Sequence, residues 1–375
     1  MAEATNSLSG LRLWLAAESD PERRSNVRMM MGRRMKKLGM FGAARDMFDA
    51  ALQETPNDPA IQRSLGLELF RAGRIREGLD MYDSGRWRME SFDKYRRDYP
   101  FPTWRGEPLQ GRRLLLWAEQ GIGDQIMQLR VLPQLLATGA EITLEADPRI
   151  KALLGPMTQR IKFVPQLVQL NQSISKAKYD FQTSMLSAWA YQRAPLDCGD
   201  CLTADASLVK QYRAAWKRLG DGINVGLSWR SSAKANGEER TLRLEDLRPL
   251  TLGPKARFHN LQYGEVDVEA SSRAFGSALL TDPASDPLKD LTRQAAQIAA
   301  LDLVITIDNA TAHLAGALGK PVWIILPKGS DFRWGSLVKP MPLYPGQKLF
   351  RSGNIDDWST CLWALFEAFN KFKPA

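Results

Sequence analysis

The amino-acid sequence predicts an α/β protein in which two parallel-sheet domains follow an all-helical segment. Small and aromatic residues recur at a constant spacing near the N-terminus, and beyond them short apolar runs alternate with amphipathic stretches. The 375 residues also exceed the size at which a single hydrophobic core keeps growing. We expect a helical segment over 1–98, α/β domains over 99–205 and 206–355, and a C-terminal helix within 356–375 that packs back on the first α/β half.

An internal repeat of 34 residues marks the helical segment. Its first unit carries small, aromatic and proline residues at Gly32, Gly39, Ala44, Phe48, Ala51 and Pro56. The matching positions one period later are Gly66, Gly73, Gly78, Tyr82 and Gly85, while Glu90 replaces the proline in this degenerate second unit. This pattern matches the tetratricopeptide repeat, a helical hairpin whose small residues let two helices approach closely. We predict about two such hairpins after a first helix near 8–18; a generic helical bundle is the alternative.

Eight short apolar runs predict the strands of the two α/β domains. They are 113–118, 141–146, 161–165, 223–228, 257–262, 278–281, 303–307 and 321–325. Several of these runs are continuously apolar, which is typical of parallel strands covered by helices on both faces. An aromatic, basic and proline-rich connector over 86–111 leads into the first domain, and a loop followed by a basic helix over 196–222 separates the two.

The composition indicates a globular protein with acidic partners. Hydrophobic residues make up 44% of the chain, charged residues 25%, and the formal net charge is +9, which suits phosphates, nucleotides, anionic lipids or nucleic acid. No apolar stretch is long enough to cross a bilayer and the N-terminus lacks the basic segment of a secretory signal, so we expect a cytoplasmic location. Three cysteines and two histidines are too few for a disulfide framework or a four-ligand zinc cluster. We interpret Cys198 and Cys201, a C-x-x-C pair, as two loop thiols.

The first candidate site follows the run 113–118. Gly121 and Gly123 form a glycine turn that leads into a helix beginning near Asp124, and the backbone amides of such a turn suit an anion. Asp124 is a carboxylate at a strand-to-helix turn, where it can accept a proton from an acceptor hydroxyl. It fits equally well as the cap of the helix.

The second candidate site follows the run 223–228. Cations and hydroxyls are concentrated in this one loop, at Arg230, Ser231, Ser232, Lys234 and Arg240. Such a composition is suited to holding phosphate oxygens. A solvated charged loop is the alternative, and taken alone the loop favours it.

The third candidate site follows the run 303–307. Asp308 or Asn309 can cap the next helix, and Ala310 and Thr311 are small enough for a ligand to approach the backbone amides at its start. A diphosphate suits this position because aligned peptide dipoles place positive charge there, and Thr311 and His313 can add donors. An ordinary, closely packed βαβ helix with a buried His313 explains the pattern equally well.

Five stretches of sequence stand out together. They are 102–124, Val225-Gly-Leu-Ser-Trp-Arg-Ser-Ser232, Asn260-Leu-Gln-Tyr-Gly264, 307–321 with its Asp-Asn-Ala-Thr-Ala-His core, and 326–334 with Asp331-Phe-Arg-Trp334. They resemble tetratricopeptide-linked bacterial glycosyltransferase-like proteins of the heptosyltransferase-like branch. The resemblance covers roughly residues 100–362 in order. It implies the GT-B architecture, in which two Rossmann-like domains face each other, an acceptor-side domain first and a nucleotide-sugar domain second.

The resemblance also implies an activity and a set of roles. It implies inverting, metal-independent transfer of a sugar from a nucleotide-diphosphate donor, with Asp124 as the catalytic base. The resemblance further implies that the loops at 230–232 and 308–313 hold the donor diphosphate and that Gln262 lies where the nucleotide binds. The second half independently lacks an Asp-x-Asp metal motif at a strand end. Phe332 stands where the family usually has tryptophan, and the loop after Ser232 lacks the family's histidine and aspartate.

Three function hypotheses follow from the sequence. The first is an enzyme that glycosylates a protein or glycan hydroxyl, with the helical segment docking the acceptor or a partner. The second is a catalytically inactive GT-B scaffold or binding protein. The third, nucleic-acid binding, depends on the net charge alone, and no RNA- or DNA-binding motif accompanies that charge.

Overall fold

The computed structural model describes residues 7–191, 202–233, 237–336, 341, 343–344, 346–355 and 357–374. The chain forms two compact units. The first contains the N-terminal segment up to Asp98 together with Leu186–Tyr191 and Lys328–Met341, and the second contains Tyr99–Met185, Gln192–Pro327 and Pro342–Ala375. The two internal segments of the first unit lie within the predicted α/β domains, so the sequence-based domain ranges do not account for them. The predicted division of the second unit near residue 205 remains a prediction.

Helices make up most of the first unit and cover the sheets of the second. They are α1 (Leu8–Ala17), α2 (Pro21–Lys37), α3 (Phe41–Glu54), α4 (Pro59–Arg71), α5 (Ile75–Arg86), α6 (Ile122–Gln128), α7 (Leu132–Ala137), α8 (Gln172–Ser175), α9 (Met185–Ala188), α10 (Ala206–Lys217), α11 (Val268–Phe275), α12 (Thr292–Ala300), α13 (Ala310–Ala317) and α14 (Ser359–Asn370). Within the part of the chain described here, no helix is both long and apolar enough to cross a membrane.

The first unit is built from two helical hairpins, α2–α3 and α4–α5, at the predicted repeat spacing. Gly66 and Gly78 let the second hairpin close tightly: a methyl group added at Gly66 would lie 2.5 Å from the backbone nitrogen of Tyr82 and 2.6 Å from the carbonyl oxygen of Gly78. Gly39 and Gly73 follow α2 and α4 with φ angles of 72° and 82°, the left-handed conformation that glycine adopts without strain. The helical hairpins are therefore present, and their assignment to the tetratricopeptide family remains a prediction.

The second unit contains two parallel sheets. Their strands are β1 (Arg113–Trp117), β2 (Glu141–Ala146), β3 (Ile161–Pro165), β4 (Phe181–Ser184), β5 (Ile223–Ser228), β6 (Ala256–Asn260), β7 (Leu279–Leu280), β8 (Leu303–Ile307), β9 (Val322–Leu326) and β10 (Gln347–Arg351). The strand order is β3-β2-β1-β4 in one sheet and β10-β9-β8-β5-β6-β7 in the other. Because all these pairs are parallel, the carboxyl ends of the strands in each sheet share one edge.

All eight predicted strands are present, with ends that move by two residues or fewer. The sequence analysis missed β4 and β10. Both differ from the apolar runs that predict buried strands: β4 contains Gln182 and Thr183, and β10 contains Lys348 and Arg351. β10 forms one edge of its sheet, the opposite edge strand β7 has two residues, and edge strand β3 contains Lys162 and ends at Pro165.

The C-terminal helix packs on the second sheet, which corrects the prediction that it packs back on the first half. Leu362, Leu365 and Phe369 of α14 belong to one buried cluster with Phe258 of β6 and Trp323 of β9. The physical reason is the short connection: only residues 352–358 separate α14 from β10, which pairs with β9 of the same sheet.

His259 is a buried, neutral histidine in β6. Its Nε2 lies 3.2 Å from Oδ1 of Asn224, its ring centroid lies 4.1 Å from that of Trp216, and 1% of the residue is exposed. Burial, with a smaller contribution from the nearby Arg257 guanidinium, lowers the pKa of His259 to about 3. The unfolded chain therefore binds a proton at this histidine from about pH 6.5 downward, while the folded chain does not.

We expect the free energy of unfolding to fall as the pH is lowered from about 6.5 toward 3, by about 1.4 kcal/mol per pH unit from this group alone. Urea unfolding at a series of pH values would measure it. In His259→Gln the side chain does not titrate. The free energy of unfolding of this variant should therefore change less steeply with pH between about 3 and 6.5, by about 1.4 kcal/mol per pH unit. Equal slopes in the two proteins would contradict the assignment.

Candidate functional site

Asp124 lies in the first turn of α6, which begins two residues before it. The N-cap is Gly121 and the helix starts at Ile122, two residues before the start near Asp124 that the sequence predicts. Asp124 Oδ2 lies 3.5 Å from the position that a methyl group at Gly121 would occupy. Gln120, just before the turn, has a φ of 66° and is the one non-glycine residue with positive φ among those described. Such backbone strain is typical of functional turns.

Two glutamines that the sequence analysis missed fasten α6 to the edge of the first sheet. Gln125 accepts a hydrogen bond from the backbone nitrogen of Asp147 at 3.0 Å, and its Nε2 lies 3.2 Å from Oε1 of Gln166. Gln166 in turn donates to the carbonyl oxygen of Ala118 at 2.6 Å. These bonds join the ends of β1, β2 and β3 to the helix that carries Asp124. Their sequence signal is weak, since each glutamine acts through partners distant in the chain.

Asn309 is the N-cap of α13. Its Oδ1 accepts from the backbone nitrogens of Thr311 at 3.0 Å and Ala312 at 3.4 Å. Asn309, one of the two caps that the sequence predicts, therefore occupies these two amides. Ligand binding at this helix start stays a prediction. Among the described residues, the backbone N–H of Ala310 and the hydroxyl of Thr311 have no hydrogen-bond partner. At this helix start, the N–H of Ala310 and the hydroxyl of Thr311 can therefore donate hydrogen bonds to a ligand.

A buried polar network joins the carboxyl ends of β5, β6 and β8. Asn309 Nδ2 donates to Oγ of Ser228 at 2.8 Å, and Oγ1 of Thr306 donates to Asn309 Oδ1 at 3.1 Å. All three residues are 6% exposed or less. The network holds the start of α13 against the end of β5.

Gln262 completes this network through its side-chain amide. Its Oε1 accepts from Oγ of Ser228 and from the backbone nitrogens of Trp229 and Arg230 at 2.9–3.2 Å. Its Nε2 donates to the carbonyl oxygens of Arg230 and Tyr263 at 3.2 and 3.3 Å. The side-chain amide of Gln262 therefore orients the loop after β5. The prediction that Gln262 lies where the nucleotide binds stays a prediction.

One charged residue of the loop after β5 forms a largely buried ion pair, and others are exposed to solvent. Arg240 pairs with Asp308 at 3.1 Å, with 12% and 3% of the two side chains exposed, so these two predicted ligand groups neutralise each other. Arg230 is exposed and donates to the carbonyl oxygen of Glu265. The backbone nitrogens of Ser231 and Ser232 donate to Oγ1 of Thr241 and Oη of Tyr263. Lys234 lies outside the described residues, as do Cys198 and Cys201.

The helices that carry Asp124 and Asn309 touch at Gly123. A methyl group added at Gly123 would lie 3.1 Å from Cα of Ala310 and 3.3 Å from Cδ2 of His313. Both distances are short for a β-carbon, so a side chain at this position would require Ala310 or His313 to shift by a few tenths of an ångström. The structure thus brings Gly123 and the adjacent Asp124 next to the start of α13.

His313 is buried and contacts a tyrosine that the sequence analysis did not single out. Nδ1 of His313 lies 3.0 Å from Oη of Tyr344, and the two residues are 3% and 4% exposed. The guanidinium of buried Arg130 lies 5.2 Å from the centre of the Tyr344 ring. His313 is therefore part of a packed group at the contact of α6 and α13. The sequence feature that could have indicated this group is Arg130, a charged residue within an otherwise apolar run.

No group of three or more histidine, cysteine, aspartate or glutamate side chains is arranged to hold a metal ion in the described part of the chain.

Comparisons with known proteins give the following similarities. No family model matches the chain. The chain is 28% identical over 365 residues to Protein FlbA of Caulobacter vibrioides, which covers 89% of this chain and 59% of FlbA. The chain therefore spans less than two thirds of the length of that relative.

Two solved structures are similar to part of the chain. One is a glycosyl transferase family 9 protein from Veillonella parvula, with a TM-score of 0.48, 14% identity, and coverage of 72% of this chain and 92% of that one. The other is the Escherichia coli ADP-heptose lps heptosyltransferase II, with a TM-score of 0.47, 13% identity, and coverage of 69% and 98%.

Proposed function

We propose that the chain is an inverting, metal-independent glycosyltransferase of GT-B architecture that moves a sugar from a nucleotide-diphosphate donor to a protein or glycan hydroxyl in the cytoplasm. One observation carries the proposal: Gly123 packs against Ala310 and His313, and Asp124 is the next residue in the chain, so the helix that carries this carboxylate contacts the capped start of α13. Such a transfer needs proton acceptance and leaving-group stabilisation, and in this proposal Asp124 serves the first and the start of α13 the second.

In the proposed reaction, Asp124 accepts the proton of the acceptor hydroxyl. The hydroxyl oxygen forms a bond to the anomeric carbon from the face opposite the diphosphate, and the bond from that carbon to the diphosphate oxygen breaks. The electron pair of the broken bond remains on the leaving diphosphate. The configuration at the anomeric carbon is inverted as a result.

The start of α13 is proposed to stabilise the leaving diphosphate. The N–H of Ala310 and the hydroxyl of Thr311 supply donors, and the aligned peptide dipoles of the helix add about half a positive charge there. Arg230 is an exposed cation in the loop that the Gln262 network orients. These groups can neutralise developing negative charge without requiring a metal. The repeat hairpins are proposed to dock the acceptor or a partner protein.

Nucleotide binding to the wild-type chain and to Thr311→Val tests the proposal. We expect the wild type to bind ADP, GDP, CDP or UDP in calorimetric titrations that contain EDTA. Thr311 is 2% exposed and valine preserves its shape. Loss of a hydroxyl that donates to a charged phosphate should weaken binding by about tenfold or more.

Thr143→Val is the matched control, because Thr143 is a buried threonine on β2, 5% exposed. It should bind nucleotide as the wild type does. If the wild type binds none of the four nucleotides, or if Thr311→Val binds as tightly as the control, the diphosphate assignment is wrong. Binding without release of nucleoside diphosphate from any nucleotide sugar would instead support the inactive scaffold.

A further inference from the structure

Arg71, at the end of α4, uses every N–H of its guanidinium. Nε and one Nη donate to the two carboxylate oxygens of Glu68 at 2.7 and 3.5 Å. The remaining three N–H groups donate to the carbonyl oxygens of Ser330, Asp331 and Gly335 at 3.0, 3.1 and 3.0 Å. The five donors of an arginine are thereby matched to five acceptors, three of which belong to one loop backbone.

The Arg71–Glu68 pair is almost completely buried, with side-chain exposures of 2% and 1%. The guanidinium also lies 3.9 Å from the centre of the Phe41 ring. A buried ion pair is held where its geometry is good and its remaining donors are satisfied. Lysine, with one ammonium and three donors, cannot reproduce this planar arrangement.

The loop that Arg71 holds makes further close contacts within the helical unit. A methyl group at Gly329 would lie 2.8 Å from Cα of Lys37, and the Phe332 ring packs edge-on against Phe70 at 5.0 Å. Residues 328–336 are therefore part of the helical unit, although they come more than two hundred residues later in the sequence.

The same loop continues directly from the second sheet. β9 ends at Leu326, one residue before Pro327, and pairs in register with β8. β8 ends at Ile307, and Asp308 and Asn309 of the candidate site follow it. A contact that holds the backbone after Leu326 therefore also restrains the end of β9. This strand is the neighbour of β8, which leads into Asp308 and Asn309 of the candidate site.

We propose that Arg71 and Glu68 are positioning residues that fix the backbone of 328–336 and, through the chain itself, the end of β9. The helical segment is then a structural part of the transferase and not only a docking module. The part of this inference that concerns nucleotide affinity rests on the proposed function. The part that concerns the loop and β9 is independent of it.

Amide hydrogen exchange, measured in the Arg71→Lys variant of the 375-residue chain, tests the inference. Arg74→Lys is the matched control. Arg74 also pairs with a glutamate three residues later, Glu77, but these side chains are 55% and 50% exposed. We expect amide exchange over 328–336 and 322–326 to be about tenfold faster or more in Arg71→Lys, with exchange over 113–146 unchanged. The affinity for the nucleoside diphosphate that the wild type binds should fall about tenfold.

Glu68→Gln provides a second variant in case Arg71→Lys does not fold, since it leaves the three carbonyl contacts possible. It should accelerate exchange over 328–336 less than Arg71→Lys does, and more than Arg74→Lys does. If 328–336 exchanges in both variants as it does in the control, the positioning role is wrong. If the loop loosens while 322–326 and the nucleotide affinity stay unchanged, the coupling to β9 is wrong. A wild type that binds no nucleotide refutes the proposed function, and the exchange data still decide the role of Arg71.

Discussion

Replacing Asp124 by asparagine is expected to lower kcat for sugar transfer by about a hundredfold to ten-thousandfold, the range that general-base catalysis contributes. Asparagine preserves the size of the side chain but cannot accept the proton of an acceptor hydroxyl. The affinity for the nucleoside diphosphate should stay unchanged, because the groups proposed to hold it are on α13 and at Arg230. Release of nucleoside diphosphate from the nucleotide sugar that the wild type consumes, followed with a coupled assay, measures kcat, and calorimetry measures the affinity.

Glu269→Gln is the control for this prediction. Glu269 is also in the first turn of a helix, α11, and its side chain is 91% exposed. Removing a first-turn carboxylate costs about 0.3–1 kcal/mol of helix-dipole interaction at either position. Only the Asp124 variant should lose turnover. If both variants transfer sugar at the wild-type rate, Asp124 is not the base.

Replacing Gly66 by alanine is expected to destabilise the helical unit by about 1–3 kcal/mol or more, because the added methyl group has no room. It would meet backbone atoms of Tyr82 and Gly78 at 2.5 and 2.6 Å, and backbone cannot move aside as the end of a side chain can. Helices α4 and α5 must therefore separate. Urea unfolding monitored by circular dichroism measures the change in the free energy of unfolding.

Gly42→Ala gives the opposite expectation and serves as the control. Gly42 lies in α3, and a methyl group there would meet no atom within 4 Å. Alanine should stabilise that helix by up to about 1 kcal/mol, since it loses less backbone entropy than glycine. If Gly66→Ala were also neutral or stabilising, the close approach of α4 and α5 would be wrong.

The sequence predicted the strands well where local composition alone determines them. Runs such as 303–307 are apolar without interruption, so their burial on both faces can be inferred from the run itself. β4 and β10 contain polar or charged residues, and their pairing depends on strands distant in the chain. The positions of Asp124 and Asn309 after strands were predictable for the same local reason.

The roles of several side chains could not be predicted because they depend on long-range partners. Gln262 accepts from residues more than thirty positions earlier, which leaves no signal in its own neighbourhood. Tyr344 contacts His313 across 31 positions, and Arg71 contacts Gly335 across 264. Only the folded chain brings these pairs together, so sequence patterns gave candidate residues without their hydrogen bonds.

The edges of the two sheets have a consequence for the behaviour of the protein at high concentration. Their central strands are strongly apolar, and an open edge of such a sheet invites another molecule to add a strand. Strand β10 opposes that addition by the charges of Lys348 and Arg351, and β7 by its length of only two residues. Strand β3 opposes it by the charge of Lys162 and by Pro165, which has no backbone N–H to donate. Three of the four edge strands of these sheets, β3, β7 and β10, therefore carry features that oppose self-association into fibres.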